Sequence, residues 1–434
     1  MTGDNQLEQE GYKYFMRPEP KEGLGPIQIT YDELTDRDMR WRTGEIGMVR
    51  NAKEKKEVKI FLDPIPHIRL GKAKQLQGWY QPKTSNKGSR GRNRPCYTEA
   101  MLTEPYGGYC TVGCAFCYIN SGFRGYRGSG LTTVPMHYGE QIKKQLRTLK
   151  ASAAGYFSSF SDPFLPIEDY YHNTETAARE FVKQGLPIFF LSRLSYPDWA
   201  ITLLQQSKYS YAQKSINCAT QMDWEKLSPG ALPLEDHFEE IKKLRRAGIY
   251  VSIQVNPIIA GITDHDEIEI LFEKLASCGT NHVIVKFVEA GYSWAPAMVA
   301  RMTQRFGDNR SAAFRELFTQ NIGGQRTIEQ EYRLEGHKRY QKCATKLGMT
   351  YSVCYEYRDA NPGCVSIGPE FMTSEQCHGH KVPMFKRQGA AQRFKEVKEC
   401  EPSGCLTCSG GCGSEIMKQA DALKLKDFKD PFNA

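Results

Sequence analysis

The chain has 434 residues, 40% hydrophobic and 25% charged, with 58 Lys+Arg against 50 Asp+Glu for a formal net charge of +8. That is enough apolar material for a full-sized core, and no apolar run reaches the roughly 18–20 residues of a bilayer span. The opening MTGDNQLEQEGY has neither the basic start nor the apolar stretch of a secretory signal, so a cytoplasmic protein with reduced cysteines is expected, and a membrane protein or disulfide-stapled secreted scaffold is not.

In chain order, residues 1–100 read as an irregular extension. Within it, residues 64–98 hold eight basic residues (Arg69, Lys72, Lys74, Lys83, Lys87, Arg90, Arg92, Arg94), no Asp or Glu, and the aromatics Trp79 and Tyr80. Basic side chains neutralise phosphates and aromatics stack on bases, so this arm suits nucleic acid as well as plain solvation. From 101 to 290 the pattern is regular. A first strand precedes residue 110. Strands are then expected at 155–160 (GYFSSF), 187–192 (PIFFLS), 213–218 (QKSINC), 249–255 (IYVSIQV) and 282–288 (HVIVKFV). Helices are expected near 138–150, 168–184, 197–207, 234–247 and 265–277. This alternation predicts an α/β fold with a parallel sheet, wound open or closed as a barrel. Beyond 290 come helices near 311–320 and 327–346 and a further strand at 349–354 (MTYSVC). Residues 360–434, rich in Gly and Cys, lack the periodicity of an independent core. Three regions follow: 1–100, 101–290 and 291–434.

Fourteen cysteines in a reducing setting point to metal ligation or catalysis. Cys110-x3-Cys114-x2-Cys117, in GYCTVGCAFCYIN, follows the first strand. Three thiolates on so short a loop can hold three irons of one 4Fe–4S cluster and leave the fourth open. Zinc would want a fourth ligand, and the first histidine after the loop is His137. A second group, Cys400-x4-Cys405-x2-Cys408-x3-Cys412, in CEPSGCLTCSGGCG, can ligate another 4Fe–4S cluster or a zinc ion. Cys354, Cys364 and Cys377 are candidates to join that ligand set or make a further site. His378 and His380 read as surface residues, with ligation as the alternative, and Cys278 reads as a small buried hydrophobe.

The cysteine spacing, with Phe116 before the third cysteine and Tyr118 after it, resembles the radical S-adenosylmethionine (SAM) superfamily. The resemblance continues through SDPFLPIE at 161–168, PIFFLSRLSYPDW at 187–199, SINCATQMDWEKLSPG at 215–230 and LRRAGIYVSIQVNPIIAGITD at 244–264. These segments are similar to the spore-photoproduct-lyase-like branch. The resemblance implies a partial (β/α)6 barrel whose first loop carries the cluster, with SAM chelating the open iron through its amino and carboxylate groups. One electron, from an external donor such as flavodoxin or ferredoxin, would then cleave SAM to methionine and a 5′-deoxyadenosyl radical that abstracts a substrate hydrogen. Residue by residue, it implies that Phe116 and Tyr118 flank the adenine and that Ser161 contacts SAM. Arg193 stands where the family usually has a lysine facing the SAM carboxylate, and Ser215 should approach the ribose or carboxylate. One departure concerns the final step. Where spore photoproduct lyase has a hydrogen-donating cysteine, this chain has Ser159, whose O–H bond is too strong to give up a hydrogen atom readily.

The reading that follows is a radical SAM enzyme acting on a DNA or RNA base, such as one rearranging or functionalising a thymine 5-substituent. Radical SAM chemistry on a peptide, protein or small metabolite is the alternative. A non-catalytic iron–sulfur or zinc nucleic-acid-binding protein is the remote one.

Overall fold

The structure is a computed structural model. It describes residues 28–29, 45–51, 56–63, 100–108, 110–117, 132–147, 149, 151–158, 161–292, 294–322, 325–359, 364–374, 377–389 and 391–397. Seven strands form the central sheet: β1 (Ala100–Thr103), β2 (Ala154–Phe157), β3 (Ile188–Ser192), β4 (Tyr211–Ser215), β5 (Tyr250–Ile258), β6 (His282–Phe287) and β7 (Thr350–Val353). Each pairs in parallel with the next, so spatial order equals chain order. That is barrel winding, because a doubly wound sheet reverses its strand order at a switch point. Among the described residues β1 and β7 do not pair, which leaves the barrel partial. The six expected strands are present, and the further one at 350–353 extends the sheet.

The crossovers carry α1 (Tyr138–Arg147), α2 (Asn173–Lys183), α3 (Asp198–Gln205), α4 (Leu234–Arg246), α5 (Asp266–Ser277) and α6 (Gln330–Lys346). Their sequences show why they pack. In α4, Leu234, Phe238, Ile241 and Leu244 are buried at helical spacing while the charged residues between them mostly face out. Strand β6, HVIVKF, is buried along its whole length, as a parallel strand covered on both faces should be. Lys214 of β4 is fully buried too, and is tolerated there because it pairs with Glu240 of α4 and donates to the Leu194 carbonyl at 2.6 Å.

Several bounds differ from expectation. The strand expected at 213–218 runs instead from Tyr211 to Ser215, so Asn217 and Cys218 lie beyond its end. The helix expected near 311–320 is the last part of Ala295–Leu317, which is divided by Gly307 at φ 80°; this residue breaks the periodicity that marks a helix in sequence. Within residues 1–100, Glu45–Asn51 pairs antiparallel with Lys56–Asp63, which runs parallel to Thr132–Pro135. Residues 377–389 and 391–397 lie along the N-terminal edge of the sheet. His378, expected at the surface, is buried there against Phe189 and Tyr211, with its Nδ1 3.1 Å from the Gln213 amide. His380 stacks on Tyr250. Cys278 is buried at the end of α5 as expected.

Candidate active site

All seven strands are parallel, so their C-terminal ends share one edge, and the loops leaving that edge are where such folds place chemistry. The cysteine loop is one of them. Cys110 follows β1, and the loop folds through short backbone bonds: Gly113 N–H to Cys110 O at 3.1 Å and Cys117 N–H to Cys114 O at 3.2 Å. Gly113 takes φ +64°, which a side chain would strain.

A second chain segment holds this loop in place. Ala115 N–H donates to Leu227 O (2.8 Å) and Gly230 N–H to Val112 O (3.0 Å). The approach is close enough that a Cβ on Gly230 would lie 2.2 Å from Thr111 O. Arg301 of helix Ala295–Leu317 also donates to Ala115 O at 3.1 Å.

Between β3 and that second segment sits Arg193, buried at 7% exposure. Its guanidinium lies 5.0 Å from the rings of both Phe116 and Trp224. Nη1 donates to Asn217 Oδ1 (3.1 Å) and Ser228 Oγ (3.2 Å), and Nη2 donates to Asn256 O (3.0 Å). Ser228 Oγ in turn donates to Cys114 Sγ at 3.4 Å. Asp162 fixes the Arg193 backbone, accepting from its N–H at 2.7 Å and from Ser192 Oγ at 2.9 Å. Burial pushes the Asp162 carboxyl up, although these donors oppose the shift. Burial also pushes the Cys110 thiol well up, and the nearby Asp162, Cys114 and Cys117 add to the effect. Cys110 therefore lies near enough to Cys114 and Cys117 to feel both.

Ser161 Oγ donates to Tyr106 O (3.0 Å) and lies 3.2 Å from Ser158 Oγ, which donates to the buried Glu104 at 2.8 Å. Glu168, at the end of the SDPFLPIE segment, accepts from Tyr106 Oη and from the Thr174 and Glu175 backbone N–H groups. Burial raises its carboxyl to about 7. It ties the site to the start of α2.

No family model matches the chain. A protein of Pseudomonas phage M6 named "Radical SAM Nalpha-GlyT isomerase" is 59% identical over 443 aligned residues, covering 97% of this chain and 92% of that protein. The chain belongs to the radical SAM family. Among solved structures it is similar to a spore photoproduct lyase mutant with a dinucleoside spore photoproduct, at 15% identity and TM-score 0.44 over 62% of this chain and 78% of that one. It is also similar to a radical SAM methyltransferase from Sphaerobacter thermophilus, at 14% identity and TM-score 0.39 over 76% of each chain.

The radical SAM enzymes use a 4Fe–4S cluster and SAM, and the donor set here fits the cluster. Among the described residues, no three His, Cys, Asp or Glu side chains converge on a single metal ion. A 4Fe–4S cube takes one thiolate per iron, so three thiols on one short loop need not converge on a point. Of the residues expected around the cofactors, Phe116 and Arg193 meet directly beside the cysteine loop. Ser161 sits one residue from Asp162. Ser215 is buried at the end of β4, and it is Asn217, two residues on, that meets Arg193. Tyr118, Ser159, the basic arm at 64–98 and the cysteines Cys400, Cys405, Cys408 and Cys412 lie outside the described residues. No helix among the described residues is long and apolar enough to cross a membrane.

Sequence reasoning passed over Asn217, Trp224, Ser228, Gly230 and Asn256. The first four stand in the SINCATQMDWEKLSPG run and Asn256 in the next, so the sequence pattern reaches their segments but not their roles. A serine or asparagine in a loop gives no sign of its partner until the chain folds.

Proposed function

We propose that the chain is a radical SAM isomerase whose substrate is a thymine bearing a glycine through its α-nitrogen, carried in DNA. The observation that carries this is the 59% identity, across 97% of the chain, to the phage protein named "Radical SAM Nalpha-GlyT isomerase", in which we read Nalpha-GlyT as a glycine joined through its α-nitrogen to thymine. An isomerase conserves the atoms of its substrate, and Ser159 in place of the lyase's cysteine agrees with a different final step.

Cys110, Cys114 and Cys117 would hold the 4Fe–4S cluster, which with bound SAM supplies the 5′-deoxyadenosyl radical for hydrogen abstraction. Around it, Phe116 and Tyr118 are proposed to flank the adenine, and Ser161 and Ser215 to approach SAM from the strand ends. A guanidinium has five N–H donors, and Arg193 uses three of them on Asn217, Ser228 and Asn256. Among the described residues the other two have no partner, and they are proposed for the SAM carboxylate. The acid-free basic arm at 64–98 would track the DNA backbone. The cysteines at 400–412 are assigned to a second 4Fe–4S cluster in the 291–434 region, with zinc as the alternative, and the reducing electron to a flavodoxin- or ferredoxin-type donor.

The test is anaerobic reconstitution and reduction with SAM, followed by incubation with DNA carrying the glycine-substituted thymine. Nucleoside digests should contain a product of unchanged mass and altered retention, together with 5′-deoxyadenosine as turnover proceeds or in uncoupled cleavage. Cys114→Ala should yield neither. Formation of 5′-deoxyadenosine with no conversion of the modified thymine would refute the substrate. DNA retention that does not weaken with salt, or survives neutralising Arg90, Arg92 and Arg94, would refute the role of the arm.

A further inference from the structure

We propose that Ser228 is a positioning residue that tunes the reduction potential of the cluster, its hydroxyl aimed at Cys114 by the buried guanidinium of Arg193. This rests on the reading that Cys110, Cys114 and Cys117 hold the cluster.

Hydrogen-bond bookkeeping gives the direction of the hydroxyl. A guanidinium can only donate, so Ser228 Oγ must accept from Arg193 Nη1 at 3.2 Å. The single serine proton is then left for the next partner, and that partner is Cys114 Sγ at 3.4 Å. Ser228 is 1% exposed, so water does not compete for that proton. Arg193 itself cannot swing away, because it is packed against Phe116 and Trp224 and tethered to Asn217 and to the Asn256 carbonyl. Asn217 is fixed in turn by donating to Pro257 O at 2.9 Å. Phe116 belongs to the cysteine loop and Ser228 ends the helix Gln221–Leu227. The arrangement therefore joins the two segments that meet at Gly230.

One-electron reduction adds negative charge to the cluster and its thiolates. An O–H dipole pointed at a ligand sulfur stabilises that charge, and hydrogen bonds to the sulfurs are among the features that set cluster potentials. The Arg193 charge, one hydrogen bond behind, acts in the same sense. Ser228 thus favours the reduced cluster.

The experiment is anaerobic redox titration of the reconstituted full chain, read by the EPR signal of the reduced cluster, on wild type, Ser228→Ala, Ser228→Thr, Ser228→Val and Arg193→Gln. Iron content and circular dichroism are checked for each. Ser228→Ala should lower the reduction equilibrium about tenfold, a fall of about 59 mV for a one-electron couple. Arg193→Gln should move it the same way. Ser228→Thr should stay near wild type while Ser228→Val, of matching shape but without the hydroxyl, falls with the alanine variant. Equal potentials across the serine series overturn the proposal, as does loss of iron from Ser228→Thr and Ser228→Ala alike. A wild-type potential in Arg193→Gln overturns the orienting role of the arginine. A wild-type cluster whose EPR signal ignores added SAM counts instead against the cluster assignment on which the proposal rests.

Discussion

Replacing Gly230 with alanine tests how the cysteine loop is held. Gly230 is not in the left-handed region of backbone space; the requirement for glycine here is room alone. An added Cβ would lie 2.2 Å from Thr111 O and 3.1 Å from Thr111 C and Val112 Cα. Ordinary contact distances would require the two backbones to part by about 1 Å. All the crowding atoms are main chain, so no side-chain rotation relieves them. Parting breaks the 3.0 Å Gly230–Val112 bond and stretches the 2.8 Å Ala115–Leu227 bond, each worth about 1 kcal/mol net. Overpacking adds about 1–3 kcal/mol, and alanine returns about 0.5 kcal/mol by restricting the unfolded chain. The expected loss is about 2–4 kcal/mol, with the cysteine loop and Ser228 displaced from each other. Urea unfolding of the anaerobic holoprotein, with iron content per chain, measures both effects. A variant with the wild-type midpoint and a full complement of iron would refute the claim that this contact seats the loop.

The remaining predictions concern buried carboxylates. Asp162→Asn puts an amide donor where Ser192 Oγ and the Arg193 N–H now donate; the urea midpoint should fall by the equivalent of about 1–3 kcal/mol, and an unchanged midpoint would refute the claim that Asp162 fixes the Arg193 backbone. Burial alone would raise Glu356, but Arg333, with help from His337 and Lys286, more than offsets this and leaves it at about 2. A depressed carboxylate contributes stability that is complete above its ordinary 4.5 and lost as pH falls through about 2. Glu356→Gln should therefore cost about 3–5 kcal/mol near neutrality, because Arg333 is left buried and unpaired, and should flatten the acid limb of the stability curve. Glu168 has the opposite sign. Its carboxyl is raised to about 7, so its contribution is present below about 4.5 and declines as pH rises through 7; urea midpoints across that window should fall in wild type and stay flatter in Glu168→Gln. A common slope in both proteins would show that Glu168 does not titrate there.

Much of this protein was determined by the order of its residues alone. Strands such as HVIVKF and the amphipathic pattern of α4 identify their own elements, because a parallel strand covered on both faces reads as a short, nearly continuous β-branched run while a helix with one face on the core repeats every 3.6 residues. The C-x3-C-x2-C loop identifies its chemistry for a similar reason: ligand spacing on a short loop is a local property. Tertiary structure decided what local pattern cannot express. Ser228 lies 114 residues from the cysteine it approaches, and Arg193 reaches Asn256 across 63. His378, polar and within a Gly- and Cys-rich stretch, has the local pattern of a surface residue, yet its ring is buried against Phe189 and Tyr211. A side chain's partner depends on which loops the parallel winding gathers at one edge, and that is settled only when the strands have paired.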